Sequence, residues 1–302
     1  MSDSTMSDIA HPRLPAVPPT RPERVITLDA MGTVGDVARP LGPIERIINI
    51  TAVRRLIVLL ILAVAWEAYA RWISNPLLFP SLTETLQALY DATVHGPLIE
   101  RTLTSLQVLA MGYGIGLALA ALFTGLAVST RAGNDLLSTL TAMFNPLPAI
   151  ALLPLSLLWF GLGAKSLVFV IVHSVLWAVA LNTHSGFSSV SPTLRMAGQN
   201  VGLRGLKYVG LLLVPAAFPS ILTGLKIGWA FAWRTLIAAE LVFGASSRSG
   251  GLGWFIFENR NQLETASVFA GLLTVILIGL TVESVIFRTL ENATIRKWGM
   301  QS

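Results

Sequence analysis

Residues 195–215 read RMAGQNVGLRGLKYVGLLLVP, a polar segment marked by four glycines that lies between two long apolar runs of the chain. Charged side chains are expensive in the hydrocarbon of a bilayer. Three cations fall within this segment: Arg195, Arg204 and Lys207. The segment is therefore predicted to lie outside the lipid and to connect two membrane spans.

The same segment carries the signals of a short helix. Ser191 and Pro192 precede it, and serine is a good N-cap while proline suits the first helical position. Gly202 stands where the helix would need a left-handed residue at its end. We therefore expect a helix over 192–201, followed by a helical stretch over 203–214 that leads to Pro215. An exposed short helix suits the groove of a partner protein, although an ordinary loop between spans fits equally well.

The composition agrees with a membrane protein. The chain has 302 residues, of which 53% are hydrophobic and only 12% charged, and its mean hydropathy is +0.68. A soluble domain has about 25% charged residues. The absence of cysteine excludes disulfides and thiolate metal sites. The net charge of +5 does not indicate nucleic-acid binding, because the basic residues lie mainly beside apolar runs.

Apolar runs of membrane-crossing length recur along the chain, since a helix needs about 20 such residues to span the hydrocarbon core. Six candidates are found, at 55–73, 103–128, 137–160, 166–183, 217–243 and 266–287. The third is interrupted by NPLP at 145–148, where two prolines remove helix hydrogen bonds. The sequence thus predicts an all-α polytopic membrane protein with six transmembrane helices.

The distribution of Lys and Arg predicts the orientation. With the N-terminus in the cytoplasm, most of the Lys and Arg residues outside the spans lie on the cytoplasmic side. Both termini and the segment 195–215 are then cytoplasmic. Residues 1–50 include the Pro- and Arg-rich stretch HPRLPAVPPTRPE at 11–23, which cannot bury enough apolar surface to fold alone. We expect a disordered cytoplasmic tail over 1–50 and a membrane domain over 51–302.

Three smaller features carry structural expectations. The stretch 80–96 has apolar residues at helical spacing and predicts a short helix on the outer side. In the outer connection 244–265, Trp254 and Phe255 suit the membrane interface. Gly112 and Gly116 form a small-xxx-small pair, which favours close helix packing inside one subunit or a contact between subunits.

The segment 195–215 resembles the cytoplasmic coupling loop of ABC importer permeases. That loop has E-A-A, three residues, a Gly, and a Pro thirteen residues further on; the matching positions here are Met196, Ala197, Gly198, Gly202 and Pro215. Met196 replaces the acidic residue and Gly198 the second alanine, so a salt bridge to the ATPase is in doubt. The resemblance implies a coupling loop over about 184–215, with a helix that inserts into a cleft of the ATPase.

Further stretches are similar to the nitrate/sulfonate/taurine/bicarbonate branch of that family. They are NPLLFPSLTETLQAL at 75–89, NPLPAIALLPLSLLWFGLGAKS at 145–166, PSILTGLKIGWAFAWRTLIAAEL at 219–241 and GGLGWFI at 250–256. The resemblance implies a type I permease in the bacterial inner membrane, working as a homodimer with two ATPase subunits and an extracytoplasmic solute-binding protein. ATP and Mg²⁺ are expected on the ATPase, and a sulfonate such as taurine, or else nitrate or bicarbonate, is the expected cargo.

Polar residues within the predicted spans are the candidates for a substrate pathway. Lys226, Trp233 and Glu240 are spaced by seven and share one helix face, as a pathway or a dimer seam would require. An unpaired cation needs an anionic counterpart, which a passing anion could supply. The NPLP break could line a cavity or only kink the helix, and His173 could be a packed neutral imidazole. The full set of candidates is Asn145, His173, Lys226, Trp233, Arg234 and Glu240.

An enzyme is not indicated. H-E-x-x-H and G-x-S-x-G are absent, and GLGAKS at 161–166 departs from a phosphate loop, because Ala164 precedes the lysine and Trp159 occupies the first glycine position. We expect no catalytic residues, no metal site and no nucleotide bound by this chain. The alternative function is a secondary transporter, which usually has more spans and an internal repeat.

Overall fold

The computed structural model describes residues 49–243 and 250–296. Throughout these two ranges the chain forms helices and no strands, as predicted. The chain divides into two units, Met1–Val58 and Leu59–Ser302. Of the first unit, only 49–58 are described, and they include the start of the first helix. The predicted tail, 1–50, therefore lies almost wholly outside the described residues and stays a prediction.

The described residues contain thirteen α-helices in chain order. They are α1 Thr51–Ile73, α2 Leu82–Val94, α3 Leu98–Ser129, α4 Arg131–Phe144, α5 Leu153–Phe160, α6 Ala164–Ser188, α7 Pro192–Asn200, α8 Gly205–Tyr208, α9 Val214–Ala216, α10 Phe218–Phe243, α11 Leu252–Asn261, α12 Thr265–Thr281 and α13 Arg288–Glu291. A 3₁₀ turn, Ala149–Leu152, precedes α5. Single π-helical segments occupy Val209–Leu213, Val282–Phe287 and Asn292–Arg296.

Four straight helices are long and apolar enough to cross a membrane: Thr51–Ile73, Leu98–Ser129, Ala164–Ser188 and Thr265–Thr294. The number rises to six if each of two bent helix pairs is counted as one span. These pairs are Arg131–Phe144 with Ala149–Phe160, and Val209–Ala216 with Phe218–Val242. The prediction of six spans therefore agrees with the structure only when both bent pairs are counted, and the predicted fifth span, 217–243, matches the second half of its pair.

The third span breaks at the two prolines, as the sequence predicts. Helix α4 ends at Phe144, and Asn145 is its C-terminal cap. Pro146 and Pro148 have no backbone N–H to continue the ladder. The chain resumes in the 3₁₀ turn and α5, and the two halves meet at an angle of 87°.

The second helical stretch was expected to end before Pro215. In the structure it continues through Pro215 to Ala216. Pro215 lies in the first turn of α9, where a missing N–H is tolerated. The preceding π-helical turn Val209–Leu213 brings the chain to that position. The direction changes only afterwards, by 70° between Val209–Ala216 and Phe218–Val242.

Helix α6 lies at the centre of the main hydrophobic core, packed against α3 and α10. Glycines permit the close approach of α3. A Cβ atom on Gly112 would lie 2.6 Å from Ile171 Cγ2, and one on Gly116 would lie 2.7 Å from Val175 Cβ. The pair Gly112 and Gly116 thus serves packing within the chain, one of the two expected roles.

The expectations for the outer helix and for the residues Trp254 and Phe255 have different outcomes. Helix α2 forms as predicted, and Ser81 and Glu84 make a reciprocal capping box at its start. Trp254 is partly buried, and its placement at the membrane interface stays a prediction. Phe255 is only 4% exposed and belongs to the main core. Its interfacial placement was wrong, because α11 packs its apolar side against α12 rather than against lipid.

Candidate functional site

The polar segment forms the short exposed helix that its sequence predicts. Ser191 Oγ accepts a hydrogen bond from the Leu194 N–H at 3.3 Å, and Pro192 is the first residue of α7. Gly202 has φ +83°. A residue with a Cβ atom is strained in that conformation, so this position favours glycine.

Arg195 fixes α7 to the end of α6. Its Nε donates to the Val190 carbonyl at 3.1 Å, and its Nη2 donates to the Phe187 carbonyl. A cation at the C-terminal carbonyls of a helix also interacts favourably with the helix dipole. Arg195 therefore links α7 to the C-terminal end of α6 through side-chain hydrogen bonds.

One face of α7 packs and the rest is exposed. Gly198 is buried against the tip of the Leu212 side chain, which would have to shift to admit an alanine methyl group there. Met196, in place of the acidic residue, is 56% exposed, and Val201 just beyond the helix is 77% exposed. The exposed surface of α7 therefore has an apolar component.

A cavity of about 290 Å³ lies beside the break in the third span. It brings together three of the predicted pathway residues, Asn145, His173 and Arg234, from the break, α6 and α10. Phe144 and Trp177 contribute aromatic walls. We call this the upper cavity.

Arg234 is the charged residue of the upper cavity. Its Nε donates to the Ala230 carbonyl of its own helix at 3.0 Å, and its guanidinium lies 5.3 Å from the centre of the Phe231 ring. The side chain is exposed and makes no ion pair within residues 49–243 and 250–296. A cation at mid-span is costly when it faces lipid, so this face of α10 is suited to a polar space or a partner.

A second cavity of about 350 Å³ adjoins the first, and Asn145 and Pro146 line both. We call it the lower cavity. Leu181 and His184 of α6 contribute to its wall, and His184 Nε2 lies 2.8 Å from Asn134 Oδ1 of α4. The break in the third span therefore stands between two cavities along α6.

Buried polar atoms without partners are concentrated at these cavities. In the part of the chain that the structure describes, three buried side-chain atoms lack a hydrogen-bond partner: Thr141 Oγ1, His173 Nε2 and Trp177 Nε1. Thr141 lines the lower cavity, and His173 and Trp177 line the upper one. An unsatisfied buried group costs about 1–3 kcal/mol, and these three belong to residues that line the two cavities beside the break.

Trp177 and Thr141 were not identified from the sequence. Trp177 follows His173 by four residues, and Leu181 and His184 continue the same face of α6. This spacing, which places Trp177 on the same helix face as His173, was the signal in the sequence that could have identified Trp177. An apolar helix offers no way to decide which face meets a cavity, because the bend of another span creates the cavity.

Lys226 already has carboxylate partners in the chain. Its Nζ lies 3.0 Å from Glu291 Oε2 and 4.0 Å from Glu283 Oε1. Both acids belong to the C-terminal continuation of the last span. The expectation that Lys226 needs an external anion is therefore not supported by its surroundings.

Trp233 and Glu240 also point into the chain. Trp233 is 6% exposed and donates from Nε1 to the Val275 carbonyl of α12 at 3.3 Å. Glu240 is 3% exposed and accepts from Ser105 Oγ at 2.8 Å and from the Gly253 N–H at 2.7 Å. Ser105 Oγ in turn accepts from the Leu252 N–H at 2.7 Å. The stripe Lys226, Trp233 and Glu240 is thus a seam of intramolecular contacts.

Long apolar helices around cavities that hold a few polar side chains are typical of multi-pass membrane transport proteins. The family of binding-protein-dependent transport system inner membrane components matches residues 112–290, more than half of the chain. The chain therefore belongs to this family and is a permease subunit of an ABC importer rather than an enzyme. Membership also implies an ATPase and a solute-binding protein as partners.

Individual relatives agree with the predicted branch. The chain is 32% identical over 228 residues to a putative ABC transporter permease protein of Methanocaldococcus jannaschii, with 73% of this chain and 83% of the relative covered. It is 32% identical over 230 residues to the taurine transport system permease protein of Escherichia coli, covering 74% and 82%. It is 25% identical over 260 residues to the nitrate import permease protein of Synechocystis, covering 81% and 90%. The resemblance to the nitrate/sulfonate/taurine branch is confirmed.

Proposed function

We propose that this permease imports a small anion, a sulfonate such as taurine or an oxyanion such as nitrate. The observation that carries the proposal is Arg234, a cation near the middle of α10 that lines the upper cavity without a carboxylate partner in the described ranges. The printed functions of two relatives, taurine transport and nitrate import, support the same class of cargo.

The proposal includes a homodimer. Arg234 and Phe231 line the upper cavity and are exposed in the single chain. A second copy placed against this face removes the charge from lipid, which lowers its cost. The substrate then passes between two such surfaces.

The ATPase subunits act on the permease through α7. Two ATPase subunits bind ATP and Mg²⁺ on the cytoplasmic side, where both chain termini also lie, and each receives one α7 in a cleft. The exposed apolar residues Met196 and Val201 supply contact area, and the links from Arg195 to the end of α6 carry the movement to the helix that lines both cavities. A solute-binding protein on the opposite side delivers the substrate, and the permease alternates between outward and inward states.

Uptake into proteoliposomes that contain the permease, its ATPase and its binding protein tests the proposal. The panel consists of taurine, methanesulfonate, nitrate and bicarbonate, with choline and glycerol as cationic and neutral controls. We expect ATP-dependent uptake of at least one anion, reduced by Arg234→Gln without loss of assembly. Uptake of choline or glycerol with no uptake of any anion would contradict the proposal.

A further inference from the structure

Two nitrogen atoms in residues that line the upper cavity together with Arg234 lack hydrogen-bond partners. Trp177 is 7% exposed, and neither its Nε1 nor His173 Nε2 has a partner in the described residues. An indole N–H can only donate, so an acceptor must reach it for the burial cost to be recovered. The lining of the upper cavity thus combines the positive charge of Arg234 with the indole N–H donor of Trp177, and His173 Nε2 is a further donor in the tautomer that carries its proton there.

Phe144 covers both rings. Its ring stacks on Trp177 at a centroid distance of 5.4 Å and an interplanar angle of 14°, and it meets His173 edge-on at 6.3 Å. Phe144 is the last residue of α4, immediately before the NPLP break. The two nitrogens have almost no accessible surface as they stand, so a ligand can reach them only after the packing around them, in which Phe144 takes part, has changed.

We propose that the permease itself holds its cargo at a specific oxyanion site in the upper cavity, with Arg234 supplying the charge and Trp177 and His173 supplying hydrogen bonds. The site fills when Phe144 moves aside. This inference rests on the proposed function and deepens it, because import through a permease requires only a passage, whereas the inference assigns a binding site within the passage.

The chemistry of the lining favours an oxyanion. Sulfonate and nitrate oxygens are acceptors only, which matches an indole N–H and the forked donors of a guanidinium. The cavity volume of about 290 Å³ is at the lower end for ligand pockets, which suits a small solute. A cation is excluded from this position by Arg234.

Calorimetric titration of the permease–ATPase complex in nanodiscs, without the solute-binding protein, tests the inference. The titrants are taurine, methanesulfonate and nitrate, with chloride at equal ionic strength as the blank. Because Trp177→Phe removes a hydrogen-bond donor to a charged ligand, it is expected to weaken binding at least tenfold. Arg234→Gln should weaken it at least as much, and Arg234→Lys should recover part of the loss.

Lys226→Gln is the matched control, because Lys226 is a second cation in the same helix but is paired within the chain. Its dissociation constant should equal that of the unmodified complex. Thermal unfolding verifies that each variant is assembled, and Trp177→Phe should remain folded because it removes an unpartnered N–H. Saturable binding with this pattern supports the inference.

Absence of saturable binding by a complex that imports an anion would overturn the inference and leave the proposed function intact. Equal dissociation constants in the Trp177, Arg234 and Lys226 variants would have the same effect. If the complete importer moves no anion, the proposed function fails, and the inference fails with it.

Discussion

Replacing Glu240 with alanine tests whether this buried carboxylate is structural. Its oxygens accept from Ser105 Oγ and from the Gly253 N–H, and so link α10 to α3 and to the start of α11. The substitution leaves two buried donors without acceptors. Each costs about 1–3 kcal/mol, so the free energy of unfolding should fall by about 2–6 kcal/mol. Glu240→Gln keeps one acceptor oxygen and should lose about half as much.

Thermal unfolding of the purified permease–ATPase complex measures this effect. At roughly 2–4 °C per kcal/mol, Glu240→Ala should lower the melting temperature on the order of 10 °C. Glu264→Ala is the matched control, since Glu264 is exposed and its side chain makes no capping hydrogen bond; it should shift the temperature little.

The competing role for Glu240 is a direct contact with the substrate. In that case Glu240→Gln would change the Michaelis constant for uptake while leaving the melting temperature unchanged. That result, or an unchanged melting temperature for Glu240→Ala, would refute the structural account.

Three further predictions concern the coupling helix, the ion pair and the tail. Gly202→Val forces a β-branched residue into φ +83°, at a cost of about 1–3 kcal/mol. Co-purification of the ATPase and uptake should both fall while membrane insertion persists. Normal co-purification and normal uptake would argue against docking of α7 to the ATPase. Lys226→Met removes the Lys226–Glu291 ion pair and should lower the temperature of thermal unfolding, yet uptake by folded protein should stay near normal. A selective loss of uptake would return Lys226 to the substrate pathway. Deletion of residues 1–40 should leave assembly and uptake near normal, and failure to assemble would show that the tail docks.

Much of the fold could be predicted from local chemistry. The Ser191–Pro192 start and the left-handed Gly202 defined α7 from the sequence, and both are present. The prolines of NPLP located the break of the third span. These signals are local, because caps and prolines act on the backbone within one helical turn.

The candidate site was less predictable, because its residues meet through tertiary packing. The regular spacing of Lys226, Trp233 and Glu240 correctly placed them on one face, but periodicity does not say what covers that face. In this structure the face that carries the three residues is covered by α12, α13 and α11. The sequence does not distinguish Trp177 from the other apolar residues of its span. Trp177 lines a cavity because the third span bends beside Phe144.

The energy source of uptake tests the central claim most directly. Proteoliposomes with the complete importer are loaded with ATP and Mg²⁺, and uptake of the transported anion is compared with that of vesicles that contain an ATPase variant unable to hydrolyse ATP. Proton and sodium gradients are imposed separately. Uptake should require ATP hydrolysis and should not change when a proton or sodium gradient is imposed. Uptake that proceeds without ATP and follows an ion gradient would contradict the account and identify a secondary transporter.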